Sequence, residues 1–517
     1  MPRRPPADLI RGLAAALVAG AIPALAFPAV SWWWLAWVGL VPLLFVVRAA
    51  PTTVQGGVRG WFGMAGFVLT NQYWLFPSAG PLLVVVAFVV GVLWFPWGWA
   101  ARRLLSGEPT VERVLAAVVV LPSAWVLAEA VRSWHHLGGP WAPLGASQWN
   151  QPATLAPASV GGVWLVSVLV VAGNTAVVAA ILLRSRRAAA FPVVLALLGP
   201  AWFCWGPSPA PGSTVRVALV QPGEIDDAAA RQAASERLTE GLVGQRLDLV
   251  VWGESSVGVD LTNHPDAMAR LVGLRRRVGA DLLVNVDARA ADGGIYKSSV
   301  LVGSDGAHGS YAKTRLVPFG EYVPLRPLLG WATRHTKAAG EDRRRGDGPV
   351  VLHTESLGVG PLISFETTFS DLPRRLVRLG AELLAYQSST SSYQGSWAQP
   401  QLASMAAVHA AETGHPAVHA GTSGVSTAFD ARGRELGRLP ASDRGVLVVD
   451  VPLASHTTPY DRLGDWPIVV AVLIFTAWCA QSARRSSTGA RRSREPSRVA
   501  GPRSWTSRRF RRRADQP

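Results

Sequence analysis

The sequence has few charged residues and almost no cysteine. Charged side chains make up 16% of its 517 residues, whereas 49% are hydrophobic and fall into long uninterrupted runs. This composition excludes an ordinary soluble protein and is typical of a chain that crosses a membrane several times. Its two cysteines, Cys204 and Cys479, lie in or beside apolar runs, so we expect neither a disulfide framework nor a zinc site.

The apolar runs predict eight membrane spans, each near the ~20 residues that a bilayer core requires. The third is the weakest because of its glycine and asparagine content. Many of the 22 tryptophans cluster at span ends, where interfacial belts explain them without a binding role. The candidate spans are residues 9–27, 32–48, 57–76, 81–100, 112–132, 158–183, 188–205 and 466–482.

Loop charge predicts the orientation of the spans, because Lys and Arg near span ends are retained in the cytoplasm. Arginines precede span one and occupy every second connection after it, whereas 28–31 and 77–80 carry no charge and 133–157 carries only two histidines. Both termini are therefore expected in the cytoplasm. The domain plan is a seven-span region 1–205, an outward domain 206–465, a last span 466–482 and a tail 483–517.

Both ends of the chain leave alternatives open. The N-terminus also fits a cleaved signal peptide ending at Ala26, which would leave seven spans and the same outward domain. The tail holds twelve arginines against two acidic residues, a net charge of 12 − 2 = +10. We favour contact with anionic lipid over nucleic-acid binding for this charge, and expect the tail to be disordered because it has little apolar surface to bury.

Short β-type runs alternate with helical or turn segments through the outward domain, which predicts an α/β sandwich. No internal repeat is visible. The runs are Val215–Gln221, Leu247–Trp252, Asp281–Val286, Ser298–Val302, Val359–Phe365, Glu382–Tyr386, Ala417–His419, Ser426–Phe429 and Gly445–Val451.

Three runs lead directly into a polar residue suited to catalysis. Leu249-Val-Val-Trp-Gly-Glu ends on Glu254, Tyr311-Ala-Lys on Lys313, and Pro361-Leu-Ile-Ser-Phe-Glu carries Ser364 where a strand should turn. The order, with gaps of 313 − 254 = 59 and 364 − 313 = 51 residues, resembles the Glu-Lys-Cys arrangement of the carbon–nitrogen hydrolase (nitrilase) superfamily.

Further motifs narrow the resemblance to the bacterial apolipoprotein N-acyltransferase family, which has eight spans with a nitrilase-like domain between the last two. They cover nearly the whole chain except the tail. They are Lys-Thr-Arg-Leu-Val-Pro-Phe-Gly-Glu-Tyr-Val-Pro at 313–324, Gly139-Pro-Trp before Gln148, the helix Ala398–Glu412, Gly421-Thr-Ser-Gly-Val-Ser, and Thr458-Pro-Tyr followed by Gly464-Asp-Trp-Pro.

The resemblance implies an αββα sandwich outside the bacterial plasma membrane and transfer of an acyl chain, through an acyl-enzyme, from a phospholipid to a diacylated apolipoprotein. It implies no metal, cofactor or nucleic acid. Glu254 would accept protons and Lys313 would stabilise the oxyanion, with Glu321 and Glu366 as supporting carboxylates. The structural alternatives are that Glu254 and Lys313 form only an ion pair, and that Glu366 only caps a helix beginning near Thr367.

The chain departs from the family at the nucleophile, where Ser364 stands in place of cysteine. A serine hydroxyl depends on an adjacent base, for which Glu254 with Lys313, in the manner of Ser-Lys enzymes, is a candidate. A serine ester is also a poorer acyl donor to an amine than a thioester. Two other functions therefore stay open: a silent lipoprotein-binding or scaffolding relative, and a membrane amidase or esterase.

The loop after the nucleophile, Gln387–Tyr393, also differs from the family's pattern. Tyr393, at the end of this loop, and Trp397, just after it, are candidates for lining an acyl channel, although core or exposed aromatic roles are equally open. Three histidines, His409, His415 and His419, do not share one helical face, so we do not expect a metal site.

Overall fold

The computed structural model describes residues 6–208, 210–334 and 340–492. The chain divides into two units, Met1–Ile474 and Phe475–Pro517. All strands and the first sixteen helices belong to the first unit, and the described part of the second unit is the remainder of the last helix. The predicted tail beyond Arg492 lies outside the described residues.

Helices occupy all eight predicted spans. Within the described residues, ten α-helices precede the first strand: α1 Pro6–Ala21, α2 Val41–Arg48, α3 Thr53–Asn71, α4 Phe76–Ala79, α5 Leu82–Gly91, α6 Phe95–Leu105, α7 Val111–Arg132, α8 Pro152–Leu155, α9 Ala158–Leu183 and α10 Arg186–Trp205. Seven follow: α11 Ala228–Glu240, α12 Pro265–Val278, α13 Arg326–Leu329, α14 Asp371–Arg378, α15 Ala398–Thr413, α16 Pro459–Leu463 and α17 Trp466–Arg492.

Six helical segments of the described chain are long and apolar enough to cross a membrane, and a shorter apolar segment covers Trp33–Arg48. Helix α3, the third predicted span, is long but not apolar enough by this measure. Its glycines serve close packing instead: a Cβ on Gly60 would lie 2.8 Å from the Cα of Gly98 in α6. The count of eight spans therefore stays a prediction.

Helix α9 is broken near its start. Gly161 and Gly162 have non-helical backbone angles, and the φ of +65° at Gly162 suits glycine. The break frees the backbone N–H of Val163, which donates to Oε1 of Glu412 in α15 over 2.7 Å. A carboxylate more than two hundred residues away thus satisfies a backbone group inside a membrane helix.

Two six-stranded sheets form the second part of the first unit, in the orders β12-β1-β2-β3-β4-β5 and β11-β10-β9-β8-β7-β6. The strands are β1 Ala210–Gln221, β2 Leu249–Trp252, β3 Asp281–Arg289, β4 Ile295–Val302, β5 Ala307–Ala312, β6 Leu352–His353, β7 Gly358–Ile363, β8 Leu383–Ser388, β9 Ala417–Gly421, β10 Ser426–Phe429, β11 Glu435–Leu439 and β12 Gly445–Ser455.

The sheets pack face to face, and helices cover their outer faces. In β1, Val217 and Leu219 point into the core shared by both sheets, whereas Ala218 and Val220 face the core beneath α11 and α12. This alternation follows from the two-residue period of a strand. On the other side, α14 and α15 contact the second sheet, so the αββα layering expected from the resemblance is present.

The nine predicted strands are all found, with small shifts at their ends, and three further strands are added. Strands β5, β6 and β11 are edge strands, and their largely exposed or short sequences carry no clear two-residue pattern. At the C-terminal end, α17 continues to Arg492, past the predicted end of the last span at 482.

Candidate active site

Glu254 lies just beyond β2 and is 3% exposed. Its Oε2 accepts the N–H of Ser389 over 2.8 Å, and its Oε1 lies 2.5 Å from Nζ of Lys297. The next residue, Ser255, adopts a left-handed backbone with φ +55°, which turns the chain away from the strand end. Both carboxylate oxygens are therefore held, one by a neighbouring loop and one by a cation.

Lys313 follows β5 and is 1% exposed. Its Nζ lies 2.8 Å from Oε1 of Glu321 and 3.9 Å from Oε1 of Glu254. Burial raises the pKa of Glu321, but Lys313 and then Lys297 outweigh it and lower that pKa to about 2. The simple Glu254–Lys313 ion pair, the structural alternative for these residues, is therefore not the closest pairing of either one.

Lys297, on β4, is a site residue that the sequence did not identify. Its Nζ lies 2.5 Å from Glu254, 3.6 Å from Glu321 and 3.7 Å from Asp287. Burial lowers the pKa of Lys297, but the three carboxylates, led by Glu254, raise it above its ordinary value. An ammonium held in this way is not a neutral base, which argues against Lys297 as the base of a Ser-Lys pair.

Ser364 stands at the end of β7, where the chain turns into a short 3-10 helix. Its φ of +51° is left-handed, a strained conformation for serine that costs about 1–3 kcal/mol and clusters at functional sites. The preceding residue, Ile363, pairs in parallel with Gln387 on β8, and Ser388 on that strand accepts the N–H of Glu254. Within the described residues, Ser364 Oγ makes no hydrogen bond.

Glu366 joins the turn at Ser364 to the loop that carries Lys313. It is fully buried, and its Oε1 accepts the Tyr311 hydroxyl at 2.7 Å, the Thr314 N–H and hydroxyl at 2.8 Å each, and the Arg315 N–H at 3.0 Å. Its Oε2 accepts the Ile363 N–H at 3.0 Å. The helical turn begins at Ser364 rather than Thr367, so helix capping describes only one of its five contacts.

The candidate aromatic residues pack against the membrane part of the chain. Tyr393 contacts the Trp74 ring with centroids 4.8 Å apart, and Trp397 contacts Tyr73 at 5.4 Å. Trp74 also lies 4.7 Å from Trp141, in the Gly-Pro-Trp loop. We call these five side chains the aromatic cluster; it connects the loop after the nucleophile to the end of α3.

Gln401, near the start of α15, anchors this cluster. Its Oε1 accepts the indole N–H of Trp141 at 2.8 Å and of Trp74 at 3.3 Å, and its amide donates to the carbonyl of Asn71. No motif in the sequence marks Gln401 as a site residue. Beside it, Gly139 packs so closely on Phe365 that a Cβ would lie 2.8 Å from that ring, which brings the Gly-Pro-Trp loop next to Ser364.

The three histidines take part in separate contacts. His409 pairs with Glu412 at 2.7 Å and with the Thr367 carbonyl, whereas His419 contacts the Val425 carbonyl and the Ser388 hydroxyl. Among the described residues, no group of three or more His, Cys, Asp or Glu side chains is arranged to hold a metal ion.

Comparison with known families covers both parts of the chain. The model of the apolipoprotein N-acyltransferase N-terminal domain matches residues 19–176, and the carbon-nitrogen hydrolase model matches residues 216–458. An apolipoprotein N-acyltransferase of Pseudomonas putida is 30% identical, over 92% of this chain and 97% of its own length. The chain belongs to the apolipoprotein N-acyltransferase family. A relative of the same name from Geobacter metallireducens is also 30% identical over the same shares.

Two solved structures each align with about half of this N-acyltransferase family member. A carbon-nitrogen hydrolase from Helicobacter pylori aligns with 53% of the chain and 96% of its own length, at 15% identity and a TM-score of 0.36. Nit3 of Saccharomyces cerevisiae, a nitrilase-superfamily member, aligns with 47% and 91%, at 16% identity and a TM-score of 0.38.

Proposed function

We propose that this chain transfers an acyl group from a phospholipid to the N-terminal diacylglyceryl-cysteine of a lipoprotein, by way of an ester on Ser364. The observation that carries the proposal is the buried Glu254–Lys313–Glu321 arrangement beside a left-handed turn at Ser364. It occurs in a chain whose relatives, alike over 92% of its length, are named apolipoprotein N-acyltransferase.

In the first half-reaction, Ser364 Oγ attacks the ester carbonyl of the phospholipid while Glu254 takes the hydroxyl proton. Lys313 donates to the oxyanion, a term worth roughly 3–4 kcal/mol for one donor. When the tetrahedral intermediate collapses, the ester C–O bond breaks and Glu254 returns the proton to the leaving lysophospholipid. Glu321 keeps the Lys313 ammonium in place, and Glu366 keeps the turn at Ser364 next to that lysine.

In the second half-reaction, the α-amino group of the lipoprotein attacks the Ser364 ester. Glu254 takes the amine proton, the Oγ–C bond breaks, and the proton passes to Ser364 Oγ, which restores the enzyme. Because an ester is less activated than a thioester, we expect this step to be slower than the first. Water competing with the amine would instead give an esterase.

The setting proposed for this chemistry is the outer face of a bacterial plasma membrane. The chain would cross the membrane eight times with both termini in the cytoplasm, as the loop charges predict, so that the nitrilase-like domain meets the outer leaflet. The aromatic cluster, with Tyr393 and Trp397, would line the path of the acyl chain from the bilayer to Ser364. Its contacts with the end of α3 support this role.

The test uses the full chain in detergent with phospholipid and a diacylated lipopeptide bearing a free N-terminal cysteine, followed by mass spectrometry. We expect a triacylated product and an acyl adduct on Ser364, both lost in Ser364→Ala but kept in Ser304→Ala, an exposed serine away from the site. An adduct without product would reveal a stalled or hydrolytic enzyme. The absence of any adduct would refute the proposal in favour of a silent relative.

A further inference from the structure

Lysine is rare in this chain, and two of its lysines meet at one carboxylate. The chain has 50 basic residues, of which only Lys297, Lys313 and Lys337 are lysine. Lys337 lies outside the described residues, and the other two both approach Glu254. Because the chain otherwise uses arginine, lysine at both positions indicates a need for a compact ammonium rather than a planar guanidinium.

The distances divide the four charges into two pairs. Lys297 Nζ lies 2.5 Å from Glu254 Oε1, and Lys313 Nζ lies 2.8 Å from Glu321 Oε1. Lys313 Nζ lies 3.9 Å from Glu254 Oε1, which is too far for a hydrogen bond. The pairing is fixed by the backbone as well, since the N–H of Lys313 donates to the carbonyl of Lys297 at 2.8 Å. Two lysines and two glutamates leave the group electrically neutral.

A second layer of contacts holds Lys297 itself. Asp287 is its cross-strand partner on β3 and lies 3.7 Å from its Nζ. The hydroxyl of Ser255 donates to Asp287 at 3.0 Å, and the guanidinium of Arg343 pairs with the same carboxylate. Lys297 is 13% exposed at its side chain against 1% for Lys313, so it closes the solvent side of the pair of lysines.

We propose that Lys297 is a positioning residue for the acyl transfer, an inference that rests on the proposed function. It fixes Glu254 through Oε1 while the Ser389 N–H fixes Oε2, and it neutralises that carboxylate. Lys313 is thereby left to Glu321 alone, with ammonium protons free for the oxyanion. Without Lys297, two carboxylates would compete for Lys313 and the site would carry one net negative charge.

The first test measures kcat and KM of acyl-Ser364 formation in Lys297→Met, which removes the charge but keeps the length. Without its cation, Glu254 would compete with Glu321 for the Lys313 ammonium. We expect kcat to fall roughly 10–100-fold from the misplaced Lys313, with KM for phospholipid unchanged. The matched control is Arg289→Met, which removes an exposed cation beside the same hairpin.

The second test needs no turnover, so it separates this inference from the proposed function. In Ser364→Cys, the pH profile of alkylation by iodoacetamide reports how the site stabilises a thiolate. Adding Lys297→Met should shift the profile by at least about one unit to higher pH, because one positive charge is lost. Peptide mass spectrometry distinguishes this thiol from Cys204 and Cys479.

The outcomes are separable. If wild type gives no acyl adduct, yet the alkylation profile shifts with Lys297→Met, the function fails and the electrostatic role of Lys297 stands. An unchanged alkylation profile overturns the inference, as does an acyl-transfer rate in Lys297→Met equal to that of Arg289→Met. Lys297→Arg is the second variant if the methionine variant does not fold. It should keep the alkylation profile of Ser364→Cys but not the rate of acyl transfer, and full activity would overturn the need for a compact ammonium.

Discussion

The carboxylate of Glu366 offers the sharpest test of how the site is built. Five donors converge on it within 3.0 Å, three of them backbone N–H groups. In Glu366→Gln, the amide can keep its oxygen on the side of Tyr311 and Thr314, but its NH₂ then faces the N–H of Ile363. Two donors would meet where a donor and an acceptor met before.

The cost follows from those contacts. A buried donor left unsatisfied costs about 1–3 kcal/mol, and hydrogen bonds to a charged acceptor contribute roughly 1.5–3 kcal/mol, more than neutral ones. We therefore expect Glu366→Gln to destabilise the turn at Ser364 by about 3–5 kcal/mol. Tyr311→Phe removes one of four donors to Oε1 and leaves no buried polar group behind, so we expect about 1 kcal/mol.

Amide hydrogen exchange of residues 363–368 in the intact protein measures this cost as a local opening free energy. Glu382→Gln is the control, because Glu382 accepts a backbone N–H, that of Gly358, at the start of β7, the end of that strand away from Ser364. Acyl-Ser364 formation should fall in the same order as protection. Equal protection in Glu366→Gln and Tyr311→Phe, or an unimpaired rate in the former, would refute the structural account of Glu366.

Three further changes have defined outcomes. Ser364→Cys should speed transfer to the lipopeptide amine more than acyl-enzyme formation, which single-turnover mass spectrometry resolves. Gln401→Leu leaves the indole groups of Trp74 and Trp141 without their acceptor, so the free energy of unfolding should fall by about 2–4 kcal/mol. Gln245→Leu, at an exposed position, should cost less. Burial lowers the pKa of His419 to about 4, whereas in the unfolded chain this histidine is protonated below about pH 6.5. The free energy of unfolding should therefore fall by up to about 3 kcal/mol between pH 6.5 and 4, and His419→Asn should flatten that loss in denaturation midpoints.

Local sequence could predict the site residues that lie at the ends of strands. Glu254 and Lys313 each follow a run that ends in a polar residue, and the structure brings them within 3.9 Å. Lys297 lies inside β4, where a polar residue looks like an exposed strand position. Its place at Glu254 depends on the pairing of β4 with β3 and β5, a long-range register that no local pattern carries. The scarcity of lysine was the one available signal.

Hydropathy also predicts the helices of the membrane part incompletely. It identifies apolar helices such as α9, but α3 packs through glycines that carry little hydropathy, and the break in α9 is invisible without Glu412. Gln387 shows the same limit in the sandwich: its amide bridges to Trp252 and Leu283 across the two sheets, whereas its sequence position indicated only the start of a polar loop.

The bond from Glu412 to the broken helix α9 has a consequence for biosynthesis. The ribosome completes helices α1 to α10 long before it makes residue 412. The Val163 N–H therefore lacks its carboxylate acceptor until the sandwich has folded and α15 is in place. A chain truncated after α10 would insert but keep that defect. For the same reason, a soluble nitrilase grafted in place of residues 206–465 would need a glutamate at the same point of its helix before the two halves could function as one protein.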